Sequence, residues 1–307
     1  MPRRLDGKSG IRLASLPMSD VVRAENIVQL DAAQFRYDQP SLLSHQLAGH
    51  PLFTLEKLLV LAKRLPKNQV RFYYATDVKA YSALEGVADR HKGDLSLDEA
   101  ISRIAEKKSY VFLQNLETDP EYNEVIQGVL GVIEPQTEKQ DPGMYGRCGW
   151  VFLSSPGAET PYHRDHEKTF LFQIRGAKSL SVFDPKDPSV VSARENETFH
   201  SAYTLRETVY RPEIEPKAKV FNISPGMGLY MPFSAPHWVK NHDEVSISFS
   251  VTCNTRSSQR IEYVHRTNKL LRRAGLNPNG EGVSPAVDQL KFLAMRSWLN
   301  LRGKSGS

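Results

Sequence analysis

Two histidines and an aspartate carry the strongest chemical signal in the chain. His163-Arg164-Asp165 is a His-x-Asp element. On an extended strand, residues i and i+2 face the same way, so the imidazole and the carboxylate converge on one point. A third ligand must come from a partner strand, and His237, which follows Pro232-Phe233-Ser234-Ala235-Pro236, is the candidate. Two imidazoles and one carboxylate on one face of a metal form the facial triad of non-haem Fe(II) oxygenases. The open positions of such a site accept an α-keto acid and O₂. Lys178 opens the next strand after the turn at Arg175-Gly176-Ala177, where a cation can pair with the far carboxylate of the keto acid. Thr160 can add a hydroxyl to the same carboxylate. His-x-Asp alone is a weak signal, and a structural histidine is the plain alternative. Zinc in a hydrolase or isomerase also accounts for the triad but gives Lys178 and Thr160 no role.

Several neighbours are weighed against the same site. His166 should face away from the ligands, at the surface or behind them. His242 and Asn241 lie near a turn, the first in solvent, the second either a turn residue or an orienting one. Tyr162 and Trp238 flank the ligand positions as core packing or as pocket wall. Tyr145 and Arg147 precede the first barrel strand and are candidates to reach the cofactor or substrate. Cys148 and Cys253 lack metal-ligand spacing and read as small buried thiols.

The elements that must position these residues change character along the chain. Residues 1–25 are polar, lack a clear period and read as a loose tail. Residues 26–140 read as an α+β segment, with a short strand at 27–30 and Asp31 as a cap for a helical turn over 32–35. Leu52, Leu55, Leu58, Leu59 and Leu61 recur at helical spacing, bounded by Thr54 or Pro51 and by Pro66. Ser96 and Glu99 form a capping box, and 121–132 is amphipathic. From 141 to 256 short strands alternate with Gly and Pro turns, the pattern of an antiparallel sandwich or barrel. Within it, 245–251 alternates strictly between Val/Ile/Phe and Ser. The long charged stretch 186–217 is expected to lie over the barrel mouth as a mobile lid. Residues 257–307 read as a helical pair, the first closed by Gly275.

The composition excludes other classes. The 307 residues are 40% hydrophobic and 24% charged, with a net charge of +5, which is ordinary for a globular protein. No run is long and apolar enough to span a bilayer, and the basic start lacks the apolar stretch of a secretory signal. With only two cysteines, a reducing, cytoplasmic setting is expected. The basic surplus between Arg256 and Arg273, opposed only by Glu262, reads as a solvated helix face. No zinc finger or phosphate loop accompanies it, so nucleic acid is not favoured as a partner.

Residues 160–183 resemble the metal-binding core of the jumonji-C (JmjC) and cupin-like 2-oxoglutarate oxygenases. The shared features are Thr160-Pro161-Tyr162-His163-Arg164-Asp165, the aromatic Phe170-Leu171-Phe172, Gln173-Ile174-Arg175-Gly176-Ala177-Lys178 and Val182-Phe183-Asp184-Pro185. A second element, Pro225-Gly226-Met227-Gly228-Leu229-Tyr230-Met231-Pro232 followed by His237, is similar to the family's Pro-Gly-x-x-Leu-Tyr-x-Pro. The layout is similar to the asparaginyl hydroxylases of the hypoxia response and their bacterial cupin-like relatives. The likeness is strong over 140–256 and looser over the flanking helices.

The resemblance implies a mainly β fold: a double-stranded β-helix (jelly-roll cupin) core with an α+β N-terminal segment and a C-terminal helical pair. It assigns His163, Asp165 and His237 to Fe(II), and Lys178 and Thr160 to 2-oxoglutarate. Thr169 and Ser250 stand at two cofactor-side positions where the hydroxylase subfamily carries Asn; both can still hydrogen-bond. The implied activity is hydroxylation of a protein side chain or a small molecule, with demethylation as the same chemistry on an N-methyl carbon. The alternative is a metal-binding cupin-fold regulatory protein without turnover. The apolar spacing of 285–301, together with the resemblance, implies a homodimer through the C-terminal helices.

Overall fold

The computed structural model describes residues 27–304 apart from 32, 34 and 203–207; the expected tail over 1–25 lies outside the described residues. The alternating stretch forms most of β12 (Ser246–Asn254). It pairs antiparallel with β5 (Tyr145–Ser154) on one side and β7 (Lys168–Arg175) on the other. Ile247, Phe249 and Val251 join the main core, which the flanking helices cover. Ser246 and Ser248 face the opposite way and are equally buried. They tolerate burial because Gln173 of β7 satisfies both: its Nε2 donates to Ser246 Oγ at 3.0 Å, and its Oε1 accepts from Ser248 Oγ at 2.7 Å.

The remaining strands are β1 (Val28–Gln29), β2 (Ser41–His45), β3 (Val70–Tyr74), β4 (Ser109–Leu113), β6 (Glu159–His163), β8 (Lys178–Val182), β9 (Lys219–Ile223), β10 (Met227–Met231) and β11 (His237–Asn241). They form two antiparallel sheets, ordered β1-β2-β10-β7-β12-β5-β4-β3 and β6-β11-β8-β9. Leu171, Leu180, Leu229, Met231 and Val239 pack together across the two sheets. The eight strands β5–β12 are the jelly-roll core. The helices of the N-terminal segment pack on one face of the larger sheet, and the segment's strands extend that sheet at both edges, β2 on β10 and β4 on β5.

Helix α1 (Leu55–Arg64) begins at Thr54, whose hydroxyl accepts from the Lys57 amide, and stops before Pro66. The helices α2 (Val87–Arg90), α3 (Leu97–Ser102) and α4 (Ile104–Lys107) are short, and the Ser96–Glu99 capping box is present at α3. Helix α5 (Pro120–Thr137) is longer than the 121–132 pattern, because Asp119 caps it, Pro120 takes the first position and Pro135 fits its last turn. Asp31 accepts from the Ala33 amide, and residues 32 and 34 of the expected helical turn lie outside the described residues.

Over its described residues, the charged stretch 186–217 is not an open loop. It folds into α6 (Ala193–Ala202) and a 3₁₀ turn at Pro212–Lys217. Val190, Val191 and Ile214 cover Tyr162 and Phe183, so the segment is packed against the sheet that carries β6. Tyr162 is core, edge-on to Phe183, and Trp238 donates its indole N–H to Glu215 Oε2 at 3.2 Å. Helix α7 (Arg256–Arg273) gives way to Gly275 at φ +82°, the left-handed conformation that glycine adopts at a helix end. It packs on α6 and on α8 (Pro285–Lys304). Its basic residues are largely engaged, Arg266 with Glu262 and Arg272 with Glu197.

A buried ion pair ties three of these regions together. Lys168, at the start of β7, meets Asp141 at the end of the N-terminal segment. The same carboxylate accepts from Thr255 Oγ1 at 2.9 Å, at the head of α7. Removing one partner strands the other charge in the interior. Asp141→Ala is expected to lower stability by ~3–5 kcal/mol, read as a lower denaturation midpoint. Lys168→Met in the same chain should recover part of the loss.

Candidate metal centre

His163 closes β6 and His237 opens β11, and the two are direct Cα partners in the antiparallel ladder. Asp165 is not on the strand, as the i, i+2 argument had it. It lies just beyond, in the turn between β6 and β7, which bends its carboxylate back toward both rings. One ligand atom from each residue lies within 4.8 Å of the others. His163 Nε2 is 3.7 Å from Asp165 Oδ1, and His237 Nε2 is 4.0 Å from Oδ2.

Backbone carbonyls set both rings. His163 Nδ1 lies 2.7 Å from Pro161 O, and His237 Nδ1 lies 3.0 Å from Ala235 O. A carbonyl only accepts, so each Nδ1 carries the proton and each Nε2 presents a lone pair inward. Burial, aided by the facing His237, pushes His163 down to about 4. It is therefore a neutral ligand near pH 7. Burial would raise the Asp165 carboxyl, but His237, His163 and the Thr169 hydroxyl outweigh it and hold the group below its usual value. Thr169 Oγ1 donates to Asp165 Oδ2 at 2.8 Å. Two imidazoles and a carboxylate converging from one side suit a divalent first-row metal.

The triad opens onto a cavity of about 630 Å³, which Thr160, Thr169, Lys178 and Ser250 also line. Lys178 is 4% exposed. Among the described residues no carboxylate pairs with it, and burial drops its ammonium to about 7. The Thr160 hydroxyl lies 3.0 Å from Tyr110 Oη, whose phenol burial pushes up to about 12. Tyr110 was not singled out in the sequence. It sits on β4 in the N-terminal segment and meets the cavity only because β4 pairs with β5. Trp150 and Phe152, read simply as strand, also line the wall.

Other sequence candidates fall elsewhere. Arg147 pairs with Glu134 and Gln127 on α5, and Tyr145 faces Ser258 and Glu262 on α7. The ladder between β5 and β12 is irregular here, and neither residue lines the cavity. His166 is closer than expected: it lines the cavity and stacks on Phe199 of α6 at 3.9 Å. Burial, with Arg164 nearby, pushes it down to about 4. Asn241 donates to Ser154 Oγ, away from the cavity, and exposed His242 meets Ser179 Oγ at 2.8 Å. Both cysteines are unbridged.

Residues 63–254 match the family model described as a Cupin-like domain. The chain belongs to the cupin-like domain family. This cupin-like chain is 27% identical over 117 residues to HSPB1-associated protein 1 of Rattus norvegicus and 28% identical to that of Bos taurus. Each match takes in 36% of this chain and 24% of the relative, so it spans about a quarter of the relatives' length. Among solved structures it is similar to E. coli YcfD, with 15% identity, 89% of this chain and 69% of that chain covered, and a TM-score of 0.47. Another is the ribosomal oxygenase YcfD with cobalt and 2-oxoglutarate, at 16% identity, 93% and 67% coverage and a TM-score of 0.42.

Cobalt(II) titration of the metal-free protein should find one site per chain. His163→Ala and Asp165→Ala should abolish it. Thr169→Val, which leaves the ligands in place, should weaken it by about 10–100-fold.

Proposed function

We propose that the protein is an Fe(II)- and 2-oxoglutarate-dependent oxygenase that hydroxylates a protein side chain or a small molecule. The observation that carries this reading is Lys178: a buried cation without a counter-ion, opening onto the same cavity as a three-ligand metal centre. A buried unpaired ammonium is costly, and the distal carboxylate of a keto acid would remove that cost. The hydroxyls of Thr160 and Tyr110 are placed to accept or donate beside it, and Ser250 adds a further hydroxyl on the wall. His163, Asp165 and His237 would hold the iron on one face, leaving the other for the keto acid and O₂. Bound together, iron and 2-oxoglutarate supply O₂ activation: one oxygen atom enters a substrate C–H bond as hydroxyl, the other enters succinate, and CO₂ leaves. Trp150, Phe152 and Leu171 line the same space and would keep bulk water from the reacting centre. Two free cysteines fit a reducing, cytoplasmic setting.

A test follows from the charge of Lys178. In the ligand-free pocket its ammonium titrates near 7, whereas the bound dicarboxylate favours the charged form. Above pH 7, binding must therefore take up a proton. The affinity for 2-oxoglutarate should fall by up to about tenfold per pH unit there and be flat below. Calorimetry on the Fe(II)- or Co(II)-loaded protein reads both the slope and the proton uptake. Lys178→Met should bind about 10–100-fold more weakly, without the slope, and keep its metal. Succinate release with candidate peptides and metabolites, absent in Asp165→Ala, completes the test. A metal-loaded protein that binds no 2-oxoglutarate at any pH would overturn the reading. Tight binding without succinate under every substrate tried would favour a cupin-fold binding protein without turnover.

The same reading includes a two-fold homodimer through the C-terminal helices. Val287, Leu290 and Leu293 on α8 stay exposed although Met295 is buried, and an apolar face of this kind suits a self-complementary interface. Light scattering at micromolar concentration should give twice the chain mass, and deletion of 284–307 should halve it. A full-length monomer would overturn the assembly and leave the chemistry untouched.

A further inference from the structure

Arg164 stands between two metal ligands in sequence, yet its side chain makes its contacts away from them. It is 3% exposed, and among the described residues no carboxylate is in ion-pair contact with it. A buried guanidinium needs partners for its N–H groups and its charge, and three contacts among the described residues hold this one. Nε donates to the Ser234 carbonyl at 3.0 Å, Nη2 donates to Asn196 Oδ1 on α6, and the plane lies 4.1 Å from the centre of the Phe199 ring. The ring of Phe199 also stacks on His166 at an interplanar angle of 4°. The residues on either side of Asp165 thus both rest on one phenylalanine.

The first of these contacts joins the two arms of the centre. Ser234 lies in the turn closed by the Ala235 amide and the Pro232 carbonyl, at φ +57°, a left-handed conformation that a serine rarely adopts. The very next carbonyl, Ala235 O, is the one that orients His237. The ladder between the arms is irregular at this end: His237 pairs with His163, but the register shifts before Val239. Strand pairing sets the two Cα positions opposite each other, while the turn before His237 sets the direction of its ring.

We propose that Arg164 is a positioning residue that, through its hydrogen bond to the Ser234 carbonyl, fixes the 232–235 turn, and with it His237, against His163 and Asp165. The inference rests on the metal-centre reading above. Phe199 and Asn196 hold the guanidinium so that its Nε is aimed at the turn.

Cobalt(II) titration of metal-free Arg164→Lys and Arg164→Ala, with the visible d–d spectrum recorded at saturation, tests it. Both variants lose the Nε donor, and the first keeps the charge. Each is expected to bind cobalt about 10–100-fold more weakly than the natural chain, with shifted bands. Millimolar methylguanidinium should restore part of the affinity and the bands in Arg164→Ala, which a general loss of stability would not allow. Natural affinity and spectrum in either folded variant would overturn the proposal, as would a folded Arg164→Ala that methylguanidinium does not rescue. Should Arg164→Ala fail to fold, Arg164→Lys decides on affinity and bands alone. Failure of the natural chain to bind cobalt would instead overturn the metal centre itself.

Discussion

Polar groups enclosed between two sheets must find partners, because the alternative costs more than a hydrogen bond returns. That constraint organises this molecule. At one place in the space between the sheets it is met internally, by Gln173 with Ser246 and Ser248. Elsewhere in the same space, among the described residues, Lys178 has no carboxylate to pair with, and the Nε2 atoms of His163 and His237 turn toward Asp165 without a hydrogen-bond donor. The same fold thus has a closed polar region, which reads as structure, and an open one, which reads as a receptor for a metal and an anion. What distinguishes them is satisfaction, since residues in both are almost wholly buried.

Much of this was legible in the sequence, for a definite reason. Strict alternation in 245–251 states which residues share a face, and strand parity is a local property. His163 was placed by the same logic, and Lys178 by the turn that precedes its strand. Asp165 reaches the right point by a different route, because the strand ends first and a turn does the aiming. The reading of Tyr145 and Arg147 failed because they were judged by nearness in sequence to the barrel, whereas at the irregular start of β5 they turn to α7 and α5.

What was not legible depends on pairing between distant segments. Nothing near Tyr110 says that β4 will lie beside β5 and bring its phenol to Thr160. The stretch 186–217 has the charge and prolines of a loop, and its few apolar residues are too scattered to announce a partner. They are enough once Tyr162 and Phe183 offer a surface to cover. His166 likewise becomes part of the cavity wall only because α6 supplies Phe199.

The pairing of β2 with β10 has a consequence for how the chain is made. Ser41–Tyr230 and Met227–Ser44 are partners across almost the whole barrel sequence, and the His45 ring is fixed by the Met227 carbonyl at 3.1 Å. During synthesis, residues 41–45 emerge early and wait for an edge that appears only after β5 to β9 have passed. Contacts of such separation carry a large loop-closure cost and slow the search. Until β10 arrives, the nascent chain displays an unpaired N-terminal strand and an unfinished sheet edge, the kind of surface that invites wrong pairing and chaperone capture. Since His237 comes after β10 in the chain, the third ligand of the metal centre is made only after that late edge strand.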